Sequence, residues 1–535
     1  MTSTAERFEV VLALHPDDPV AVARRDLQPG DRLLGGDDDL TARDAVPRGH
    51  KVALVALEAG ALVRKYGQVI GIASRAIAAG EHVHEHNLVS PSRTGAAGAP
   101  MALPPVPRGA ALAITAPTAS VKHGATPPVA ATPTPRFDGY VRADGRVGTR
   151  NYLAVLSSVN CSATVVRRIA AAFALPGALD DFPGVDGVIA ITHRTGCGLA
   201  ADGEGLDLLR RTLSGYARHP NVGGVVVVGL GCEVNQVAAL VDGFELDVGT
   251  PLAKLTIQEL GGTVATIREG VARIRALLPE VAAARRTPVP ADALILGLNC
   301  GGSDAWSGIT ANPVLGAAVD RLVACGGTAV LAETPEIHGA EHLLTSRAAS
   351  REVAQALLDR VAWWERYAGA DGGTLDNNPS PGNQAGGVTT IEEKSLGAVA
   401  KGGSTALRAV YGYAEPVTER GLVFMDTPGY DPVSVTGIVA GGANVVCFTT
   451  GRGSVFGGKP APTLKLASTG ELYRRMTDDM DFDCGPVLDG SASVAQLGDA
   501  LFAEILAVAS GRHTKSEELD VGDEEFNPWQ LGAVM

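Results

Sequence analysis

Five groups of residues in this chain have the types and spacing to do chemistry. The first is His82-Val83-His84-Glu85-His86-Asn87. On a strand, alternate side chains share a face, so the three imidazoles would line up. Imidazole nitrogen suits iron, zinc, copper or nickel. The plain alternative is a solvated, His-rich edge strand. The second group is Arg142, Arg146 and Arg150 in GYVRADGRVGTRNY. A guanidinium offers a rigid fork that matches a carboxylate. At least one of the three is expected to pair with Asp138 or Asp144 instead. The third is a set of cysteines, Cys161, Cys197, Cys232, Cys300 and Cys447, each at the end of an apolar run. Burial beside a turn is the leading reading for these. An iron–sulfur cluster held by several of them is the lesser one, because no C-x-x-C spacing supports it.

The fourth group is ETPEIHGAEH, from Glu333 to His342. It contains H-x-x-E-H over His338, Glu341 and His342, the pattern of one class of zinc peptidase. That pattern needs a helix with both imidazoles on one face, and Gly339 opposes it. A strand-end loop presenting Glu336 and His338 to a ligand is the more economical reading. The fifth is GSVFGGK, from Gly453 to Lys459. It fits G-x-x-x-x-G-K, but Pro460 stands where a phosphate loop needs a hydroxyl and a backbone donor. A Gly-rich anion loop with Arg452 and Lys459 is preferred to a nucleotide site.

The elements that position these groups are legible from texture. Residues 1–90 repeat a short unit around Gly30, Gly49, Gly60 and Gly80, a turn feeding a short strand. This predicts a small all-β domain. Residues 91–135 are rich in Pro, Ala, Thr and Gly and predict an extended linker. From about residue 136, apolar runs alternate with helical patterns, which predicts parallel α/β sheets. The stretch AAARRTPVPADA divides this body into 136–285 and 290–535. Asn160-Cys161-Ser162 and Asn299-Cys300-Gly301 look like one strand-end device used twice. In such sheets, ligands bind beyond the carboxyl ends of the strands, where nearly all these groups fall.

The formal net charge of −14 argues against nucleic acid and against an anionic membrane as partners. An acidic substrate would then need a local cation or metal. The N-terminal residues show no secretory pattern, and there is no run of 18 apolar residues, so a cytoplasmic protein is expected. Seven cysteines, an odd number without close pairs, predict no disulfide framework.

Taken together, the motifs resemble the altronate and galactarate dehydratases, with sulfolactate sulfo-lyase as a relative. They include GHK at Gly49, KYG at Lys65, HEHN at His84, DGRVGTRNY at Asp144, VNCSATV at Val159, RTGCG at Arg194 and GLGCE at Gly229. They continue through NCGGSDAWSG at Asn299, ETPEIHGAE at Glu333, NPSPGN at Asn378, GGST at Gly402, MDTPGYD at Met425 and FTTGRGS at Phe448. The repeat in residues 1–90 resembles the SAF (β-clip) domain. The resemblance implies a multidomain α/β protein, an all-β SAF domain followed by domains with mainly parallel, Rossmann-like sheets. It implies loss of water from a 2,3-dihydroxy acid, altronate first and galactarate second, to give a 2-keto-3-deoxy acid. It also implies a divalent metal, Fe²⁺ or Mn²⁺.

Such chemistry needs fixed positive charge to meet the enolate. On this reading His84 and His86 are the expected metal ligands. Arg146, Arg150, Arg452 and Lys459 would face carboxylate and enolate. Asn160, Asn299, Ser303, Asp304 and Thr450 would bind sugar hydroxyls. His338 or His193 would be the base, and Glu336 a base or ligand. The SAF-like domain either supplies metal ligands or mediates dimer contacts, and a homodimer is expected.

Overall fold

The computed structural model describes residues 10–33, 40–91, 134–243, 250–370 and 372–532. The expected linker lies almost wholly outside them. The four repeated turns of the N-terminal segment are real and alike. Gly30, Gly49, Gly60 and Gly80 all have φ between +84° and +95°, a conformation that glycine adopts without a steric penalty. After each, the next residue donates its N–H to a carbonyl three positions back, as Asp31 does to Gln28 and Glu81 to Ala78. The turns join short strands: β1 (Val11–Leu12), β2 (Val20–Ala23), β3 (Lys51–Ala53), β4 (Leu62–Lys65), β5 (Gln68–Ala73), β6 (His82–Val83) and β7 (Leu88–Val89). These form two antiparallel sheets, β1-β2-β3-β6 and β4-β5-β7.

The next segment opens with β8 (Arg136–Val141) and β9 (Val147–Gly148). It then builds a parallel sheet from β10 (Tyr152–Ser157), β11 (Gly187–Ile191), β12 (Val222–Gly229) and β13 (Leu252–Thr256), in the order β11-β10-β12-β13. Helices α1 (Ala163–Ala171) and α3 (Thr263–Val281) cover one face through Val166, Ile169, Ile274 and Leu278, and α2 (Glu204–Ala217) covers the other. The chain segment read as the join forms β14 (Arg286–Pro290), which pairs antiparallel with β8. The first and last strands of this unit are therefore zipped together.

The last segment is a seven-stranded, fully parallel sheet. Its strands are β15 (Ile295–Cys300), β16 (Thr328–Leu331), β17 (Leu407–Tyr411), β18 (Gly421–Met425), β19 (Val445–Thr450), β20 (Thr463–Ala467) and β21 (Phe482–Asp483), in the order β17-β18-β16-β15-β19-β20-β21. Its central strands are apolar on both faces, as parallel strands covered by helices must be. Helix α4 (Ala311–Ala324) packs with α8 (Val494–Ala509) on one face. On the other face, α7 (Asp431–Ala440) meets α2 of the preceding unit. Two further helices, α5 (Arg351–Ala370) and α6 (Ile391–Val399), complete the frame used below. Among the described residues, no helix is long and apolar enough to cross a membrane.

Buried ions lock the units together. The Arg150 side chain is fully buried and grips Glu517 with two bonds, at 2.6 and 2.8 Å. It also donates to the carbonyls of Thr149, Val508 and Arg512. Breaking a buried pair leaves an uncompensated charge and costs about 3–5 kcal/mol. Arg150→Met should lower the unfolding free energy by about that amount in urea denaturation, because it strands Glu517 and three carbonyls. A loss within about 0.5 kcal/mol, the scale of an ordinary surface change, would show that Arg150 is not a tie.

Candidate active site

The SAF-like domain lays its histidines against the loop that leads into α6. His50, His82 and His84 each offer a ring nitrogen, and these lie within 4.8 Å of one another. His82 and His84 do not share an extended strand, as the sequence reading supposed. The strand ends at Val83, and a turn held by Asn87 brings the rings into stacked contact at 5.5 Å. His50 enters from the neighbouring strand's turn, its Nδ1 3.0 Å from His82 Nε2. His86 is exposed, its ring 5.3 Å from that of His82.

The environment keeps these rings uncharged. Burial, then the neighbouring His50 and His86, pushes His82 down to about 4. Burial, then Lys51, pushes His84 down to about 3. His50 is lowered too, chiefly by burial. Its Nε2 is placed to donate to the carbonyl of Ala385 at 3.3 Å, which leaves Nδ1 with a lone pair toward His82. His84 Nδ1 meets Thr389 Oγ1 at 3.2 Å. Neutral rings, oriented by outer hydrogen bonds, are the form that ligates a metal.

Directly beneath, Glu393 of α6 receives two lysines from the SAF-like domain. Lys51 Nζ lies 2.8 Å and Lys65 Nζ 2.9 Å from its two oxygens, and all three side chains are buried. The next residue, Lys394, faces a second cluster at the carboxyl ends of β15 and β16. Lys394 Nζ donates to Glu336 Oε1 at 2.7 Å and to Asn378 Oδ1 at 2.6 Å. Glu336 Oε2 accepts from the Cys300 thiol at 3.4 Å. Lys401 Nζ lies 2.9 Å from Cys300 Sγ and 3.1 Å from Glu333 Oε2. Asp431, at the start of α7, accepts from Asn299 at 3.5 Å.

This cluster splits its carboxylates. Burial and the Glu336 charge raise Glu333 to about 8 and Asp431 to about 7. Glu336 goes the other way, because Lys394 and Lys401 outweigh its burial. Neighbouring carboxyls driven apart in this way can divide acid and base roles at neutral pH. Glu333 is also held at φ +68°, a strained conformation for a non-glycine residue of the kind that gathers at functional sites. The mouth is formed by Asn378, Lys394 and Asp431, which are partly buried. Gly429 lets the backbone close over it, since a Cβ there would meet Asn378 Nδ2 and Glu336 Cγ at 3.2 Å.

Among the described residues, two groups of three have ligand atoms within 4.8 Å of one another and could hold a single cation: the three imidazoles, and Cys300 with Glu333 and Glu336. In the second, burial pushes the Cys300 thiol up to about 12, and the Lys401 ammonium already supplies the positive charge. The imidazoles are therefore the better metal-holding group.

The structure disperses many of the residues expected from sequence. Glu336 and Asn299 lie in the carboxylate cluster, and His84 lies in the imidazole cluster. Ser303 and Asp304 line a small cavity with Lys65, Glu393 and Lys394. The Asp304 carboxylate, however, accepts from Trp306, Ser307 and Ser468 and so organises its own loop. Thr450 accepts from the Gly453 N–H to close a turn, beside exposed Arg452. Asn160 is exposed at the end of β10. Arg150 is the buried tie described above, and Arg146 pairs with Asp144 at the surface. Lys459 is held by Asp520 and Asp523. His193 is buried and lowered to about 4, with Ser157 O at 3.0 Å from one ring nitrogen and the Thr195 N–H on the other. His338 faces Glu365 at 3.6 Å, while His342 faces Gln68 at 3.3 Å. With Gly339 at φ +81° between them, they do not form the two-histidine helix face of a zinc peptidase.

Comparison with known proteins decides the family. Residues 9–91 match the altronate/galactarate dehydratase SAF domain. Residues 139–282 match the second domain of D-galactarate dehydratase/altronate hydrolase, and residues 291–534 the C-terminal domain of D-galactarate/altronate dehydratase. The chain belongs to the altronate/galactarate dehydratase family. It is 33% identical to altronate dehydratase of Bacillus subtilis (strain 168) over 513 residues, 95% of this chain and 97% of the relative. It is 36% identical to altronate dehydratase of Escherichia coli (strain K12) over the same shares. It is also 36% identical to the L-threo-forming galactarate dehydratase of that strain, over 94% of this chain and 93% of the relative. Like these family members, it is a hydro-lyase.

Several residues at the centre of this dehydratase frame were given no role by sequence reasoning: His50, Lys51, Lys65, Glu333, Asn378, Lys394, Lys401 and Asp431. Most sit inside strings that were noticed. Lys394 and Lys401 do not, although seven residues is two helical turns and places them on one side. The Glu393 clamp carries a pH signature. Lys51 and Lys65 overcome its burial and hold the carboxyl near 2, against an ordinary 4.5. A depressed acid contributes stability above its unfolded pKa and loses it as pH falls through the folded value. Wild-type stability should therefore fall by about 3 kcal/mol between pH 5 and pH 2 on this account. Denaturation of Glu393→Gln should lack that component, and an unchanged acid profile would remove the clamp from the stability balance.

Proposed function

We propose that this dehydratase removes water from a sugar acid carrying one carboxylate, altronate in the first instance, with a divalent iron or manganese held by His50, His82 and His84. The observation that carries the reading is the split among carboxylates beside two lysines at the strand ends. The C2 proton of an aldonate is weakly acidic, and its removal puts a second negative charge on the carboxylate end. Lys394, largely buried but at the mouth of the cluster, is the cation for that end. Glu336 stays ionised and fixes the position of Lys394. Asp431, poised near neutrality, accepts the proton. The metal, when bound, would supply Lewis acidity to a substrate oxygen. Lys401 is committed to Cys300 and Glu333, so the supply of mouth cations matches one carboxylate better than the two of galactarate.

The test is turnover of altronate, galactarate and sulfolactate by iron-reconstituted protein, reading 2-keto-3-deoxy acid and sulfite separately. Chelator-sensitive keto acid from altronate is the expected result. Predominant turnover of galactarate would reverse the substrate order, and sulfite release would move the chain toward sulfo-lyase chemistry. His84→Ala should lose bound metal and turnover together. Asp431→Asn should cut kcat by about 10²–10⁴-fold while substrate still binds. Because Asp431 acts ionised, wild-type kcat/KM should rise with pH through about 7. A profile flat across that range would exclude Asp431 as the base.

A further inference from the structure

Six of the seven cysteines take no part in the site above, and three of them share one exposed edge. Cys300, Cys447 and Cys484 are buried and Cys325 is half-buried, but Cys161, Cys197 and Cys232 are exposed. Cysteine is among the most buried residue types, so exposed ones gathered in one place are informative. Each follows one of three adjacent strands: Cys161 after β10, Cys197 after β11 and Cys232 after β12. All three therefore stand on the carboxyl edge of the four-stranded sheet, where open parallel sheets bind ligands.

Their loops are laced together. The Asn160 N–H donates to the Thr195 carbonyl at 2.9 Å. Asn235 donates its backbone N–H to Gly196 O at 3.1 Å and its side chain to Ser158 O at 3.0 Å. Ser158 Oγ donates to Glu233 at 2.7 Å. Gly196, at φ +100°, allows the closest approach, because a Cβ there would lie 2.4 Å from Ser158 O. Cys161 also sits in the turn that begins α1.

We propose that Cys161, Cys197 and Cys232 bind an iron–sulfur cluster of the [4Fe–4S] type, with three thiolate ligands and one iron left open. Thiolates select such clusters, zinc or cuprous copper. Size then decides. Zinc–sulfur bonds of about 2.3 Å draw thiolates to about 4 Å from one another. The three loops are in contact, yet their cysteines are not among the groups whose ligand atoms lie within 4.8 Å of one another. A four-iron core takes more widely spaced thiolates than a single ion does. The open iron would face solvent, where the carboxylate or hydroxyl oxygen of a hydroxy acid can reach it. This site is separate from the imidazoles and does not depend on the reading given for them.

The full-length protein would be reconstituted anaerobically with ferric iron, sulfide and excess dithiothreitol, then desalted. The expected result is about four sulfide per chain and, in His84→Ala, about four iron, with broad visible absorbance. Cys161→Ser, Cys197→Ser and Cys232→Ser should each lose most of the sulfide and the absorbance while keeping the wild-type circular dichroism. Cys325→Ser and His84→Ala should retain both. Iron at about one per chain without sulfide, or a chromophore that survives all three substitutions, would overturn the proposal. Stoichiometric zinc at the three thiolates in place of iron and sulfide would overturn it as well.

Discussion

The fold's active centre depends on one buried carboxylate. Glu393 accepts Lys51 and Lys65 from two different sheets of the SAF-like domain, where no water helps to solvate any of the three charges. Two cations on one anion leave a surplus, and the surroundings resolve it unequally. Lys65 is held charged, its pKa raised by Glu393 against the cost of burial. Lys51 is lowered to about 8 by burial, in spite of Glu393. Such a pair is weak evidence for net stability, because hydrophobic replacement is often as good. Its value lies in register. The carboxylate fixes where the N-terminal domain sits, and the same lysines then bring His50, His82 and His84 to the loop before α6.

That placement couples the two halves of the site. Lys51 also bonds Thr389 Oγ1, the atom that meets His84. Its positive charge is the largest contribution after burial to the lowered pKa of His84. The clamp therefore helps to keep the imidazoles neutral. One residue further along the same helical turn, Lys394 points about 100° away and charges the carboxylate cluster. A single turn of α6 thus orders a set of neutral bases on one side and an ionised pair on the other.

How much of this is legible in the sequence depends on the distance over which each feature is determined. The repeated turns at Gly30, Gly49, Gly60 and Gly80 are set by a few adjacent residues, and they were readable. So was the run of apolar strands that makes parallel sheets. The polar residues at strand ends stand out in the sequence, but their partners do not, because partners are fixed by topology. Arg150 looks like a carboxylate receptor in DGRVGTRNY until Glu517, 367 positions away, is folded against it. Lys459 looks like an anion-binding lysine until Asp520 and Asp523 arrive. His50 lies 32 residues before His82, and only the pairing of β3 with β6 brings the rings together.

The two strand–Asn–Cys devices show the same limit from within one motif. Asn160-Cys161 comes shortly after β10 and Asn299-Cys300 closes β15, and local sequence gives both one reading. Their surroundings give them opposite chemistry. Cys300 lies on the central strand of a seven-stranded sheet, under helices, and burial keeps its thiol protonated beside Lys401. Cys161 follows a strand of a narrower sheet and is exposed at a helix start. A thiol in the first setting is a buried hydrogen-bonding group of a charged network. In the second it is free to be a ligand. What decides between them is the number of strands and helices around the motif, and the motif itself does not carry that information.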